Sequence, residues 1–471
     1  MLFNSTEFLF FLPAVFAVYW LLQSKLRWQN LFVVAASYLF YGWWDWKFLL
    51  LIAFTSACSF ASGLIIGDSD SRYRKAALVG NIAVNLAILG LFKYYDFFAA
   101  EFARLLGLEG DRLLMHLVLP VGISFYTFQA LSYSIDVYKG KIAATKDAVA
   151  FFAYISFFPQ LVAGPIERAT NLLPQFLQRR RFDYALAVDG MRQMLWGFFM
   201  KMAVADRCGW YVDQIWDAYT AASSGQLLLA AVLFSFQIYG DFAGYSNIAI
   251  GCAKLFGITL RLNFRTPYFS RDIAEFWRRW HISLNTWFRD YLYIPLGGSR
   301  VGKARVVLNT FIIFLVSGLW HGANWTFLAW GAFHALLFLP LLLGGTNRRN
   351  TDTVAGENSL PTLVDILQIL LTFALCTVGW ILFRADSIGD AFRFAAGMVA
   401  SGSGISLPFP WLTVVFVVIM MVAEWFNRRN DHGLVLDAVR SPWLRALVYY
   451  AIILVAVLFS SQNENFIYFQ F

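Results

Sequence analysis

Five histidines stand in the chain, His116, His281, His321, His334 and His432, and they are the first residues to ask for chemistry. His321 lies in the stretch SGLWHGANWTFLAWGAFH. The apolar run before it, 306–320, covers roughly 22 Å as a helix, short of the roughly 30 Å hydrocarbon core of a bilayer. The HGAN turn is therefore expected below the outer membrane surface. An ionisable side chain at that depth is costly and is a functional candidate by default. A neutral imidazole accepts a proton, so His321 is placed to act as general base toward a hydroxyl. Asn324 offers an amide donor to the ring or to a developing oxyanion. The competing reading is a histidine bonded to a nearby carbonyl, where it steadies a tight turn.

His281 lies in RDIAEFWRRWHISLNTWFRDYLYIPLGGSR, where Trp277, Trp280 and Trp287 interleave with Arg278, Arg279 and Arg289. That pattern suits a helix in the headgroup zone, where both residue types are stable. His281 could line a cytoplasmic mouth, and the arginines could meet phosphates of a charged donor. A plain surface anchor explains the same arginines and tryptophans. Asp241, in SFQIYGDFAGYSNIAIG, falls inside an apolar run and needs a partner. Tyr239, Tyr245, Ser246, Asn247 or an arginine from the following loop are the candidates, and structural pairing competes evenly with catalysis. His334 sits one helix beyond His321, without the further ligands a zinc site requires. No metal site is expected. His432 reads as solvated, and His116 is given no role.

These residues are embedded in a chain that is 59% hydrophobic and 14% charged, against about 25% charge for a soluble domain. The mean hydropathy of +0.59 agrees. The expected fold is all-α: one polytopic membrane domain over 1–471, with about 11–13 membrane helices plus re-entrant and interfacial ones. Candidate spans lie near 8–22, 30–44, 47–66, 76–99, 113–138, 147–166, 186–208, 226–256, 306–322, 325–344, 363–383, 407–426 and 445–460. Within the domain, 257–305 is the cytoplasmic-face segment and 306–344 holds the helices flanking the His321 turn.

The first span has no basic leader or small-residue cleavage site and reads as retained. Basic loops at Lys25 and Arg27, Arg72 to Lys75, Lys139 to Lys146, Arg179 to Arg181 and 257–305 are expected to be cytoplasmic. Segment 147–166 has basic loops on both sides, so it should dip into the membrane and return. Its FFPQLVAGPIER stretch carries the helix breakers Pro159, Gly164 and Pro165. The net charge of +8 comes from residues scattered through such loops, which argues against a nucleic-acid partner. Cys58, Cys208, Cys252 and Cys376 lie far apart in or beside apolar segments and suggest neither disulfides nor a metal cluster.

Taken together, FPQLVAGPIER, YGDFAGYSNIAIG, EFWRRWHISLNTWFRDYLYIPLGGSR, SGLWHGANW and the terminal FIYFQF resemble the membrane-bound O-acyltransferase (MBOAT) family, nearest its bacterial alginate O-acetyltransferase branch. The resemblance implies a ring of helices around a thinned membrane centre crossed by a tunnel. It implies that His321 is the histidine essential for acyl transfer, that His281 is the cytoplasmic-side motif histidine, and that Asp241 is the motif's buried carboxylate. It implies acetyl-CoA as a donor substrate with no permanently bound cofactor, and a location in the bacterial inner membrane among its lipids. A periplasmic esterase-fold acetyltransferase as partner and an exported, alginate-like polysaccharide as acceptor follow from the same branch. Asn247 stands where the family often has Asp, so acid–base work is not assigned there.

Two rivals remain at this point. A transporter or exporter without chemistry of its own also uses broken helices and a midplane ionisable group. A long-chain lipid or protein acyltransferase of the same superfamily differs only in its donor.

Overall fold

The structure is a computed structural model that describes residues 1–108, 113–162, 164–400 and 402–459. Ala163 of the Pro–Gly motif and the terminal FIYFQF lie outside the described residues. Among the described residues there is no strand, as the continuous apolar runs require. The chain divides into two compact units, Met1–Met191 with Ile248–Arg261, and Arg192–Asn247 with Leu262–Phe471.

The first unit begins with α1 (Thr6–Leu21), α2 (Leu26–Gly42) and α3 (Lys47–Gly67). Ser5 caps α1 by accepting from the Phe8 N–H, and Phe8, Phe11, Val15 and Tyr19 form its buried stripe at helical spacing. A long helix follows, α4 (Arg74–Leu89), running through a π-helical turn at Gly90–Tyr94 into α5 (Tyr95–Leu105). The span expected at 113–138 is shorter: α6 covers Ile123–Tyr138. Pro120 lacks an N–H, and Gly122 takes φ 73°, which stops helix from extending backwards. A Cβ at Gly122 would come 2.5 Å from the Leu161 carbonyl oxygen, so only glycine lets the chain turn there.

The segment expected to be broken is broken. α7 (Ala148–Ser156) stops at Phe157, and Pro159 starts the single turn α8 (Phe158–Leu161). α9 (Ala169–Leu177) follows after buried Glu167, whose carboxylate accepts from the Arg261 N–H and the Asn171 amide. The tail of the unit, 248–261, is tied to its start. Tyr19 Oη donates to the Phe256 carbonyl at 2.7 Å and Trp20 Nε1 to the Leu255 carbonyl at 3.1 Å.

Two helices belong partly to each unit: α10 (Tyr184–Phe198), extended by a π-helical stretch at Phe199–Ala205 into α11 (Asp206–Asp217), and the 32-residue α12 (Ser224–Leu255). The second unit continues with α13 (Ile273–Arg279), α14 (Ile282–Phe288), α15 (Lys303–His321), α16 (Trp325–Leu343), α17 (Leu363–Arg384), α18 (Ile388–Gly397), α19 (Trp411–Phe426) and α20 (Pro442–Leu458).

Among the described residues six helices are long and apolar enough to cross a membrane: Lys47–Gly67, Arg74–Leu105, Ser224–Leu255, Lys303–His321, Trp325–Leu343 and Leu363–Arg384. Thr6–Leu21, Trp411–Phe426 and Pro442–Leu458 are shorter apolar helices. On α17, Leu363, Leu367, Leu370 and Leu371 are exposed, and on α19, Val415, Val418, Ile419 and Val422 are. Apolar faces of that extent have lipid as their solvent. This is a multi-pass membrane protein.

The 345–362 connector is held down rather than loose. Arg271 Nη2 bonds Asp352 Oδ1 at 2.9 Å, Arg279 Nη2 donates to the Asp352 carbonyl at 2.8 Å, and Arg428 Nε donates to the Val354 carbonyl at 3.0 Å.

Candidate active site

The helices α15 and α16 meet in a hairpin whose turn holds the first candidate. His321 is the last residue of α15, and Gly322 ends the helix in extended backbone. The helices approach closely because glycines face backbone: a Cβ at Gly318 would lie 2.2 Å from the Phe327 carbonyl oxygen, and one at Gly331 2.3 Å from that of Phe314. His321 is 3% exposed. Its ring is walled by Trp320, Trp330 and Phe383, with centroids at 5.0, 5.2 and 5.4 Å.

Asn324 is bonded to backbone on both sides of its amide. It is the N-cap of α16: its Oδ1 accepts from the Thr326 N–H at 3.1 Å and its Nδ2 donates to the Asp386 carbonyl at 3.1 Å. The capping position of an Asn before an apolar run was a local signal that explains the residue without catalysis.

His281 occupies the joint between α13 and α14. Asp272 caps α13 by accepting from the Glu275 N–H, and the helix stops at Arg279. His281 then takes φ 43°, left-handed backbone that is sterically costly for a residue with a Cβ. Its surroundings fix it there. The Ile282 N–H donates to the Asn263 carbonyl at 2.9 Å, and Asn285 Nδ2 donates to the carbonyls of Trp277 and Trp280 at 2.6 Å each.

The His281 side chain is 1% exposed. Asn263 Oδ1, which only accepts, receives Ser283 Oγ–H at 2.9 Å and stands 2.9 Å from His281 Nδ1. Asn263 Nδ2 in turn donates to Ser246 Oγ at 3.1 Å. Nδ1 therefore carries the proton, and Nε2 keeps its lone pair with no hydrogen-bond partner in the protein. Burial pushes the imidazole down to about 3, so it is neutral at physiological pH. Phe242 stands edge-on to the ring at 4.6 Å. The rings of His281 and His321 are 6.4 Å apart.

Asp241 has a partner that the sequence reading did not name. Lys201 Nζ lies 2.7 Å from Asp241 Oδ1 and 2.7 Å from Asp206 Oδ1, all three side chains being nearly inaccessible. The Tyr245 ring stands 5.5 Å from the same ammonium. Tyr239 instead donates to Glu424 Oε1 at 2.6 Å, Ser246 accepts from Asn263, and Asn247 bonds Gln193 and the Ala243 carbonyl. The physical reason is that a carboxylate taken out of water needs a charge, not only hydroxyls. Lys201 in WGFFMKMAVADRC was itself an ionisable residue inside an apolar run, and Glu424 in VVIMMVAEWF was another. Both signals were readable. Asn263 carried no signal, because it stands in an ordinary polar loop.

The arginines near His281 are largely engaged. Arg279 bonds Glu275 at 2.8 Å and Arg289 bonds Asp290 at 2.7 Å. Arg278 differs: its guanidinium donates to the backbone carbonyls of Asn347 and Asn350. No group of three His, Cys, Asp or Glu among the described residues could hold a metal ion.

The sequence of this chain is similar to known proteins. The MBOAT, membrane-bound O-acyltransferase family, matches residues 141–376, which contain Lys201, Asp241, Asn263, His281 and His321. The chain is 39% identical to the probable alginate O-acetylase AlgI of Pseudomonas aeruginosa, over 86% of this chain and 76% of that protein. It is 32% identical to the peptidoglycan O-acetyltransferase of Helicobacter pylori over 99% of this chain and 90% of that protein. Identity to the teichoic acid D-alanyltransferase of Streptococcus thermophilus is 29% over 56% and 68%. The family match over 141–376 and these likenesses make the chain a member of the membrane-bound O-acyltransferase family and an O-acyltransferase.

Proposed function

We propose that the protein takes an acetyl group from acetyl-CoA at the cytoplasmic face of the bacterial inner membrane and transfers it for O-acetylation of an exported polysaccharide. The observation that carries this reading is the pair of buried imidazoles 6.4 Å apart, one of them anchored through Nδ1 so that its Nε2 stays an acceptor.

His321 takes the proton from the attacking hydroxyl, whose oxygen bonds to the thioester carbonyl carbon. The tetrahedral intermediate then expels sulfur, which leaves as the CoA thiol with the proton returned by the imidazolium. The hydroxyl belongs either to the glycan or to a relay residue on a periplasmic esterase-fold partner. Arg278, bonded to carbonyls rather than to a carboxylate, is the arginine best fitted to a phosphate of the donor. Arg279 and Arg289 have their charge offset by Glu275 and Asp290 and contribute less.

An alginate-like polymer is the first acceptor by likeness to the alginate O-acetylases. Peptidoglycan is a second, favoured by the match to the peptidoglycan enzyme over 99% of the chain.

Protein reconstituted with acetyl-labelled acetyl-CoA and each glycan tests the reading. Labelled polymer and stoichiometric free CoA are expected. Glycan movement without CoA release would make it a transporter, and preference for palmitoyl-CoA would make it a long-chain acyltransferase.

A further inference from the structure

The Lys201–Asp206–Asp241 cluster takes no step in the proposed reaction, yet one of its members stands on the helix that backs His281. Asp241 lies on α12, Lys201 on the π-helical stretch Phe199–Ala205, and Asp206 at the start of α11. π-Helical turns are rare and recur at functional sites. This stretch packs tightly on α12. A Cβ at Gly240 would come 2.9 Å from the Met200 carbonyl oxygen, and one at Gly244 2.9 Å from that of Gly197. Glycines four apart share one helix face, so that face of α12 carries no side chain to fix its rotation.

Phe242 and Ser246, also four apart, share a second face of α12, and that face meets His281. Phe242 stands edge-on to the ring at 4.6 Å. Ser246 Oγ accepts from Asn263 Nδ2 at 3.1 Å, and Asn263 Oδ1 is 2.9 Å from His281 Nδ1. A rotation of α12 draws Ser246 away from Asn263 and frees the amide that fixes the proton on Nδ1.

Charge balance explains why Lys201 has a carboxylate partner, but not why it has two. Asp206, five residues on in the same chain segment, neutralises the ammonium at 2.7 Å. Asp241, also at 2.7 Å, adds burial cost without adding neutrality. What it does add is a directional, charge-assisted tie between the π-helical stretch and α12. We infer that the Lys201–Asp241 pair is a positioning device for His281. It sets the rotation of α12 and so, through Ser246 and Asn263, the ring nitrogen that stays an acceptor. This inference rests on the reading above that His281 Nε2 serves acyl transfer.

Two substitutions remove one carboxylate each, and both leave a one-to-one ion pair. Asp206→Asn keeps the tie to α12, and Asp241→Asn cuts it. In nanodiscs, Asp241→Asn should lower kcat for acetyl transfer about tenfold with KM within about twofold, while Asp206→Asn should leave both within about twofold. Solid-state nitrogen-15 spectra of histidine-labelled protein read the tautomer, the His281 signals being those lost in His281→Gln. The Nδ1–H form should dominate in the unaltered protein and in Asp206→Asn, and give way to a mixture in Asp241→Asn. The uncharged triple variant Lys201→Met, Asp206→Asn, Asp241→Asn also lacks the tie, and should show the same mixture and the same loss in kcat. It serves where Asp241→Asn fails to fold. Unaltered kcat and tautomer in either variant that lacks the tie, or equal losses from Asp206→Asn and Asp241→Asn, overturn the positioning role and leave charge balance as the work of the cluster. Full turnover by His281→Gln overturns the reading beneath it, and the tautomer spectra still test the path from Asp241 to the ring.

Discussion

The imidazole rings of His281 and His321 lie 6.4 Å apart with 58° between their planes, brought together from the joint of α13 and α14 and from the end of α15. The His321 ring packs against Trp320 and Trp330; His281 is tied to a polar chain running through Asn263 to Ser246 and Ser283. That chain fixes which nitrogen of His281 is free, so Asn263 is a positioning residue.

Asn263→Leu should leave His281 present but undirected. We expect kcat to fall about 10- to 100-fold with KM changed less, as when a supporting partner of a functional histidine is lost. Steady-state acetyl transfer in nanodiscs measures it. A KM-only effect would remove Asn263 from this role.

The Lys201–Asp206–Asp241 cluster should behave as a buried charge network. Lys201→Met leaves two carboxylates in a dry site and should cost roughly 3–5 kcal/mol, seen as a large drop in unfolding temperature in detergent. Adding Asp206→Asn and Asp241→Asn should recover most of that loss, because the cost comes from uncompensated charge. Failure of the triple variant to recover would mean that the cluster does more than balance charge.

The sequence showed a good part of this in advance, and the reasons are physical. Apolar runs long enough for lipid mark α3, α12, α15, α16 and α17, because each such helix satisfies its own backbone. Pro159 and the residues around it marked the break between α7 and α8. The two histidines were legible because ionisable groups are rare in such surroundings. What was not legible was pairing. Lys201 and Asp241 are forty residues apart on different helices, and only packing could show that the lysine stands against the aspartate. Asn324 was read for its spacing to His321, and its place before an apolar run also marked it as the cap of α16 that the structure shows.

Acid should destabilise the protein through His281. Its pKa is depressed by burial from 6.5 to about 3, so below pH 6.5 the unfolded chain binds a proton that the folded one refuses. The stability is intact above 6.5 and falls as pH drops toward 3, by on the order of 1 kcal/mol per pH unit. Unfolding temperature measured between pH 7.5 and 4.5 should show this slope, reduced in His281→Gln. An identical slope in that variant would contradict it.

Gly318→Ala tests the close approach of α15 and α16. A methyl group 2.2 Å from the Phe327 carbonyl oxygen has to push the hairpin apart. A loss of roughly 1–3 kcal/mol is expected, with activity falling as the His321 turn shifts. Gly302→Ala, whose Cβ meets nothing within 4 Å, is the control and should change neither.

The catalytic assignment of His321 is tested most directly by acetyl transfer in His321→Ala, at matched unfolding temperature, with and without added imidazole. A loss of about 10²- to 10⁴-fold is expected, the usual worth of a general base, with partial recovery when imidazole enters the space. Full turnover by His321→Ala in properly folded protein would contradict it.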